Sequence, residues 1–149
     1  MTRIAFTVES TLPPERVLAA ATDFSERRPD LWSNSSRKYF EVHELGDDWA
    51  EVTEGTDRGG GFWERMRYDW STPGLVRATV LDSNVFTAGT WELRAEPAPG
   101  GGSRVSVVND RATKGKGKLF AVMMTLVGKR FFTRSLRRTL AAVERGAGD

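Results

Sequence analysis

Between residues 37 and 111 apolar and polar residues alternate in six short runs, at about 37–45, 48–55, 61–70, 75–82, 88–96 and 103–111. A period of two sends successive side chains to opposite faces of an extended chain, so each run suits a strand with one buried face. The separators, Gly46-Asp47, Thr56 to Gly60, Ser71 to Gly74, Ser83-Asn84 and Pro97 to Gly102, are hairpin chemistry. Strands joined by turns this short are antiparallel. A seventh alternating run, Arg3 to Glu9, opens the chain with Ile4, Phe6 and Val8 on one side.

Two other segments carry helical signals. Pro13 and Pro14 followed by Glu15 suit a helix start, where a missing N–H has no intrahelical partner and an acid meets the positive end of the dipole. This helix is expected to reach about Thr22. Asp23 and Ser25 are competent N-caps for a second short helix, which Pro29 is expected to limit. The last element is expected from about Lys116 to Arg145. Leu119, Val122, Leu126, Thr133, Leu136, Leu140 and Val143 follow spacings of three and four and form one stripe. A second stripe, Phe120, Met123, Met124, Val127 and Phe131, makes the first half apolar nearly all round. The first half is therefore expected to be deeply enclosed and the second superficial, with Arg130, Arg134, Arg137 and Arg138 toward solvent. The second stripe leaves both a monomer and a homodimer open.

The 149 residues suit one domain, 1–149, able to bury about 70% of the surface its unfolded form exposes. With no cysteine and only His43, disulfide frameworks, thiolate sites and multi-histidine metal sites are excluded, and no cofactor is expected. The N-terminus lacks the apolar centre of a signal peptide, and the apolar run Leu119 to Val127 is far shorter than the roughly twenty residues of a membrane span. A cytoplasmic protein is expected. Charge divides unevenly: 12 Lys and Arg oppose 18 Asp and Glu over residues 1–110, whereas 10 oppose 2 over 111–149. This fits either a basic helix on an acidic sheet or a nucleic-acid- or membrane-facing tail.

The order of elements, with Phe6 to Ser10 followed by Leu12 to Val17, then Gly89 to Leu93, Ser103 to Val107 and Leu119 to Glu144, resembles the START, Bet v 1 and polyketide cyclase superfamily (SRPBCC) over the whole chain. The resemblance implies an α+β helix-grip fold: a curved antiparallel sheet of about seven strands wrapped on a long C-terminal helix, with two short helices after strand one. That superfamily includes lipid carriers, hormone receptors, cyclases and hydrolases and has no common catalytic motif. The glycine-rich loop of its plant members is replaced here by Leu45 to Trp49. A bent sheet closing on one helix leaves space for a small molecule.

Within the run Phe62 to Trp70, Glu64 shares a face with Phe62, Met66, Tyr68 and Trp70 and is expected to point inward. A carboxylate in an apolar cavity has its charged form disfavoured, which suits a general acid or base or an anchor for a ligand's polar group. The alternatives are an ion pair with an inward arginine, a wet rim, or a bulge that turns it outward. Asn109 follows Val105 and Val107 on the inner face of the last strand, with the facing of Asp110 and Arg111 open. Tyr68, Trp70, Trp91, Phe120 and Met124 complete the expected ligand-binding set. His43 is expected outside with Glu41. No nucleophile elbow accompanies it, and neither glycine triplet precedes a Lys-Ser/Thr pair and a helix, so both are read as turns. The lysines of 114–118 form a connector.

The expected function is binding of a small hydrophobic or aromatic ligand, lipid or polyketide-like, between sheet and final helix. The alternatives are a cyclase or aromatase using Glu64 as acid or base, and an interaction module that docks RNA, a membrane surface or a protein through the basic final helix. No specific nucleic acid is expected.

Overall fold

The structure, a computed structural model, describes residues 2–57, 61–113 and 118–146, without the side chains of residues 118, 120 and 121. Among these residues, seven strands form one antiparallel sheet: β1 (Thr2–Ser10), β2 (Glu41–Leu45), β3 (Trp49–Thr56), β4 (Phe62–Asp69), β5 (Leu75–Ser83), β6 (Phe86–Pro97) and β7 (Ser103–Thr113). Their order is β1-β7-β6-β5-β4-β3-β2. Every alternating run contains a strand, and all but the edge strand β2, where only Val42 is half-buried, carry an apolar face that the shared core buries. The expected turn at Gly59 and Gly60 and the connector 114–117 lie outside the described residues.

Pairing of the first strand with the last leaves β1 and β2 at opposite edges. Helices α1 (Pro14–Ala21) and α2 (Arg28–Leu31) carry the chain from one edge to the other. Proline and Glu15 occupy the first turn of α1 as expected, and Val17, Ala20 and Ala21 are buried. Pro29 does not end α2; it stands in its first turn, where the missing N–H costs nothing. Register irregularities at Val42/Glu44, Arg65/Met66 and Phe86/Ala88 bend the sheet around its concave face. Val8, Val17, Val52, Val76, Leu93 and Val105 form the sealed part of the core there.

The final helix α3 (Lys118–Gly146) reverses the expected burial. Its second half is the anchored one: Leu136, Thr139 and Leu140 are 4%, 1% and 3% exposed. Thr139 Oγ1 donates to the Leu31 carbonyl at 2.6 Å, and Glu144 accepts from Ser10 Oγ at 3.0 Å. In the first half, Leu119, Val122, Met123, Leu126, Val127 and Phe131 stand exposed. Hydrophobic spacing fixes that a helix has an apolar face; a half that is apolar nearly all round carries no phase to say which side meets the sheet. His43 lies exposed on β2, beside Glu41 and hydrogen-bonded to Thr53.

Truncation separates the two halves. Leu136→Ala or Leu140→Ala is expected to cost about 2–5 kcal/mol in denaturant unfolding, whereas Leu126→Ala changes stability by no more than about 0.5 kcal/mol.

Candidate functional site

Between the concave sheet face, the segment after α2 and the first half of α3 lies a cavity of about 450 Å³. Its floor is alternate residues of four strands, including Ile4 and Phe6 of β1, Met66 and Tyr68 of β4, Trp91 of β6 and Val107 of β7. Its roof is Met124, Val127, Gly128, Phe131 and Phe132 of α3. Trp91 meets Trp32 and Tyr68 edge-to-face, with ring centroids 6.2 and 6.4 Å apart. At one end Ser33 Oγ and Ser135 Oγ lie 2.5 Å apart and join the segment after α2 to α3.

One polar cluster is set into this wall. Glu64 faces inward, 5% exposed, and Arg111 grips it with two bonds, Nη2 to Oε1 at 3.1 Å and Nε to Oε2 at 3.3 Å. The remaining guanidinium nitrogen, Nη1, donates to Asn109 Oδ1 at 2.5 Å, the Thr90 carbonyl at 2.7 Å and the Asp110 carbonyl at 3.1 Å. Gly89 is the cross-strand partner of Arg111, and a Cβ there would stand 2.5 Å from Arg111 Cδ and 2.6 Å from the Asp110 carbonyl. The bare backbone lets the arginine stem lie along β6 with its head in the cavity wall. Burial pushes the Glu64 carboxyl above its ordinary value; Arg111 opposes the rise, and Glu54 adds to it.

A second, deeper cluster lies beside the first. Tyr68 donates its hydroxyl to Glu54 Oε1 at 2.6 Å, and Arg28 Nε donates to the same oxygen at 3.1 Å. Arg28 Nη1 also caps the Ala21 and Asp23 carbonyls at 3.0 and 3.2 Å, and its guanidinium sits 4.4 Å from the centre of the Phe24 ring. Burial by itself would lower the Arg28 pKa, but the Glu54 carboxylate and Tyr68 outweigh it and leave the value raised. Burial and the neighbouring Glu54 push the Tyr68 hydroxyl well above its usual range. Glu54 Oε2 is buried and has no hydrogen-bond partner among the described residues.

Of the residues singled out from sequence, Glu64, Tyr68, Trp91, Asn109 and Met124 all border the cavity. Trp70 does not. It is half-buried against Phe24, centroids 5.9 Å apart, beneath the segment that joins α1 and α2. The chain has by then passed the end of β4 and the reach of the cavity. Phe120 lies outside the described side chains. Arg111, whose facing the sequence leaves open, turns inward as the arginine partner of Glu64, while Glu54 and Arg28 are not among the expected residues. Period-two alternation continues Val105, Val107 and Asn109 to Arg111, and Ala50 and Val52 to Glu54, so both were within reach of the pattern. Nothing in the polar stretch around Arg28 marks it. Among the described residues, no group of three His, Asp or Glu side chains converges to hold a metal ion.

The two partners of the first ion pair are not equivalent. Because the native Glu64 carboxyl holds its proton more tightly than the unfolded one, its stabilising contribution is complete below about pH 4.5 and is lost as pH rises through the raised native value. Glu64→Gln removes that loss, so urea unfolding from pH 4 to 8 is expected to show the variant gaining on the wild type as pH rises. Arg111→Met strands a buried carboxylate and is expected to cost about 3–5 kcal/mol at neutral pH.

The comparisons with known proteins agree with this architecture. ZhuI aromatase/cyclase from Streptomyces sp. R1128 is similar in structure, with TM-score 0.80 and 17% identity over 96% of this chain and 93% of that one. A START superfamily protein from Mycobacterium smegmatis has TM-score 0.76 and 13% identity over 97% and 99%. The di-domain aromatase/cyclase StfQ of the steffimycin pathway has TM-score 0.73 and 11% identity over 99% of this chain and 52% of that one. At these identities the likeness is one of fold: the helix-grip architecture. No curated protein matches the chain in sequence. The sequence model of polyketide cyclase/dehydrase and lipid transport proteins matches residues 1–147, and the chain belongs to that family.

Proposed function

We propose that this protein is a receptor for a small, largely aromatic or hydrophobic molecule bearing at least one polar group, held between the sheet and α3. The observation that carries this reading is the 450 Å³ cavity, aromatic on several sides, with the Glu64–Arg111–Asn109 cluster in its wall. Its volume lies within the range of drug-sized ligand sites, about 300–1,000 Å³. Apolar walls supply the driving force, and the cluster supplies orientation: Glu64 is an acceptor, or a donor when protonated, and Asn109 offers an amide. Tyr68 contributes ring surface rather than a free hydroxyl, since that hydroxyl is bonded to Glu54.

A second reading is a cyclase or aromatase. The specific observation in its favour is a buried cavity-facing carboxyl whose raised pKa moves it toward the range useful for proton transfer. On that reading Glu64 moves the proton, Arg111 holds the carboxyl in place, and the cavity folds the substrate.

Trp32 and Trp91 border the cavity and report on its contents. Titration with a hydroxylated polycyclic aromatic compound is expected to quench tryptophan fluorescence saturably, and Met124→Trp, which fills the roof, to weaken binding by about tenfold or more. A fold that stays intact with no quenching by any such compound defeats the receptor reading. If a substrate is turned over, Glu64→Gln is expected to lower kcat by about a hundredfold or more; unchanged turnover defeats the catalytic role.

A further inference from the structure

The outer face of α3 has no role in the cavity or the core. Leu119, Val122, Met123 and Leu126 are 73%, 55%, 57% and 76% exposed. At about 100° per residue they share one half of the helix circumference with Arg130, Arg134, Arg137 and Arg138, all exposed. These four arginines form no ion pair among the described residues. The one acidic residue of the helix, Glu144, is engaged with Ser10 and Thr11. The face thus presents, along roughly 30 Å, an apolar half followed by a cationic half, with no acidic group between them. The cavity also opens beside it, for Val127 and Phe131 line the cavity and are themselves about half exposed.

We propose that this face docks on an anionic lipid surface, its apolar half entering the edge of the hydrocarbon and its arginines resting among headgroup phosphates. The charge pattern selects that occupant. A second copy of the chain laid along the whole of this face would set each arginine row against the partner's arginines or against its apolar half, with no acid of the helix face to receive it. A nucleic acid would take the arginines and leave the exposed leucine, valine and methionine side chains in water. A bilayer with anionic headgroups offers phosphate and hydrocarbon at adjacent depths, and a helix of this composition lies in that boundary. Docking stands apart from what the cavity holds, and the two are measured separately: vesicle sedimentation reports on the face, fluorescence quenching by a water-soluble ligand on the cavity.

The experiment is co-sedimentation of the full chain with vesicles of phosphatidylcholine alone and with about one-third phosphatidylglycerol, at low and at high salt. Expected is binding at least about tenfold tighter to the anionic vesicles, weakened by salt, and reduced about tenfold or more when Arg130, Arg134, Arg137 and Arg138 are all changed to Gln. Leu126→Gln, at a site too exposed to unfold the protein, is expected to weaken binding severalfold while leaving the salt dependence in place. Equal affinity for both vesicle types overturns the proposal, as does binding that survives the arginine changes. A dimer that occupies this face and binds no vesicle, or binding to RNA without binding to anionic vesicles, overturns it as well.

Discussion

Two carboxylates stand directly opposite each other across the β3–β4 pair: Glu54 and Glu64 are register partners, both buried on the concave face. Like charges in that position repel, and burial removes the water that would screen them. Each has its own arginine, and neither arginine is local. Arg28 reaches Glu54 from 26 residues earlier, and Arg111 reaches Glu64 from 47 residues later. The pairing therefore ties the start of α2 and the end of β7 to the middle of the sheet. Arg28 Nη1 donates to the carbonyls of Ala21 and Asp23, which closes the chain between the helices over the same point, and Nη2 donates to the Tyr68 hydroxyl at 3.4 Å. One electrostatic problem thus specifies the placement of three segments that hydrophobic burial alone would leave loosely positioned.

The same arrangement accounts for the hollow. A bent seven-stranded sheet has more concave surface than one helix can cover: α3 seals it through Phe132, Leu136, Leu140 and Val143, and before them touches the core mainly through Met124 and the close approach of Gly128 to Ile4. Over the remainder the helix roofs the cavity. A wholly apolar space of this size would gain by closing. Here closure would press the Glu64–Arg111 pair, already set in the wall, further into apolar side chains. The charged wall and the open volume therefore go together.

Strand existence, order of elements and inward facing of Glu64 and Asn109 were legible because period-two alternation is a local signal with a single structural meaning. The facing of Arg111 and Glu54 follows from the same alternation carried one step further, past the last apolar residue, where a polar side chain gives no reason of its own to be counted as core. Arg28 was illegible: a short polar helix start carries no periodicity, and its burial depends on Glu54, which only the folded sheet brings near. The burial of α3 departs from the expected pattern for a related reason. Its first half is the most apolar stretch of the chain, yet apolar character states a preference for burial, and the geometry of the sheet decides whether there is anything to bury against.

Gly128 marks where α3 changes character. A Cβ there would stand 2.7 Å from Ile4 Cδ1, so the glycine permits the close approach of helix to β1. Glycine within a helix costs about 1 kcal/mol relative to alanine, a cost the contact with the sheet offsets. Beyond it toward the C-terminus, Leu136, Thr139 and Glu144 hold the helix by burial and by hydrogen bonds to α2 and β1. Before it, the helix is held chiefly by Met124, half-buried beside the cavity. Sparse apolar contact and exposed surface are the physical marks of low local stability. The roof of the cavity is therefore the segment whose displacement disturbs the least of the core, and the glycine lies at the boundary between the anchored half of the helix and the sparsely packed one.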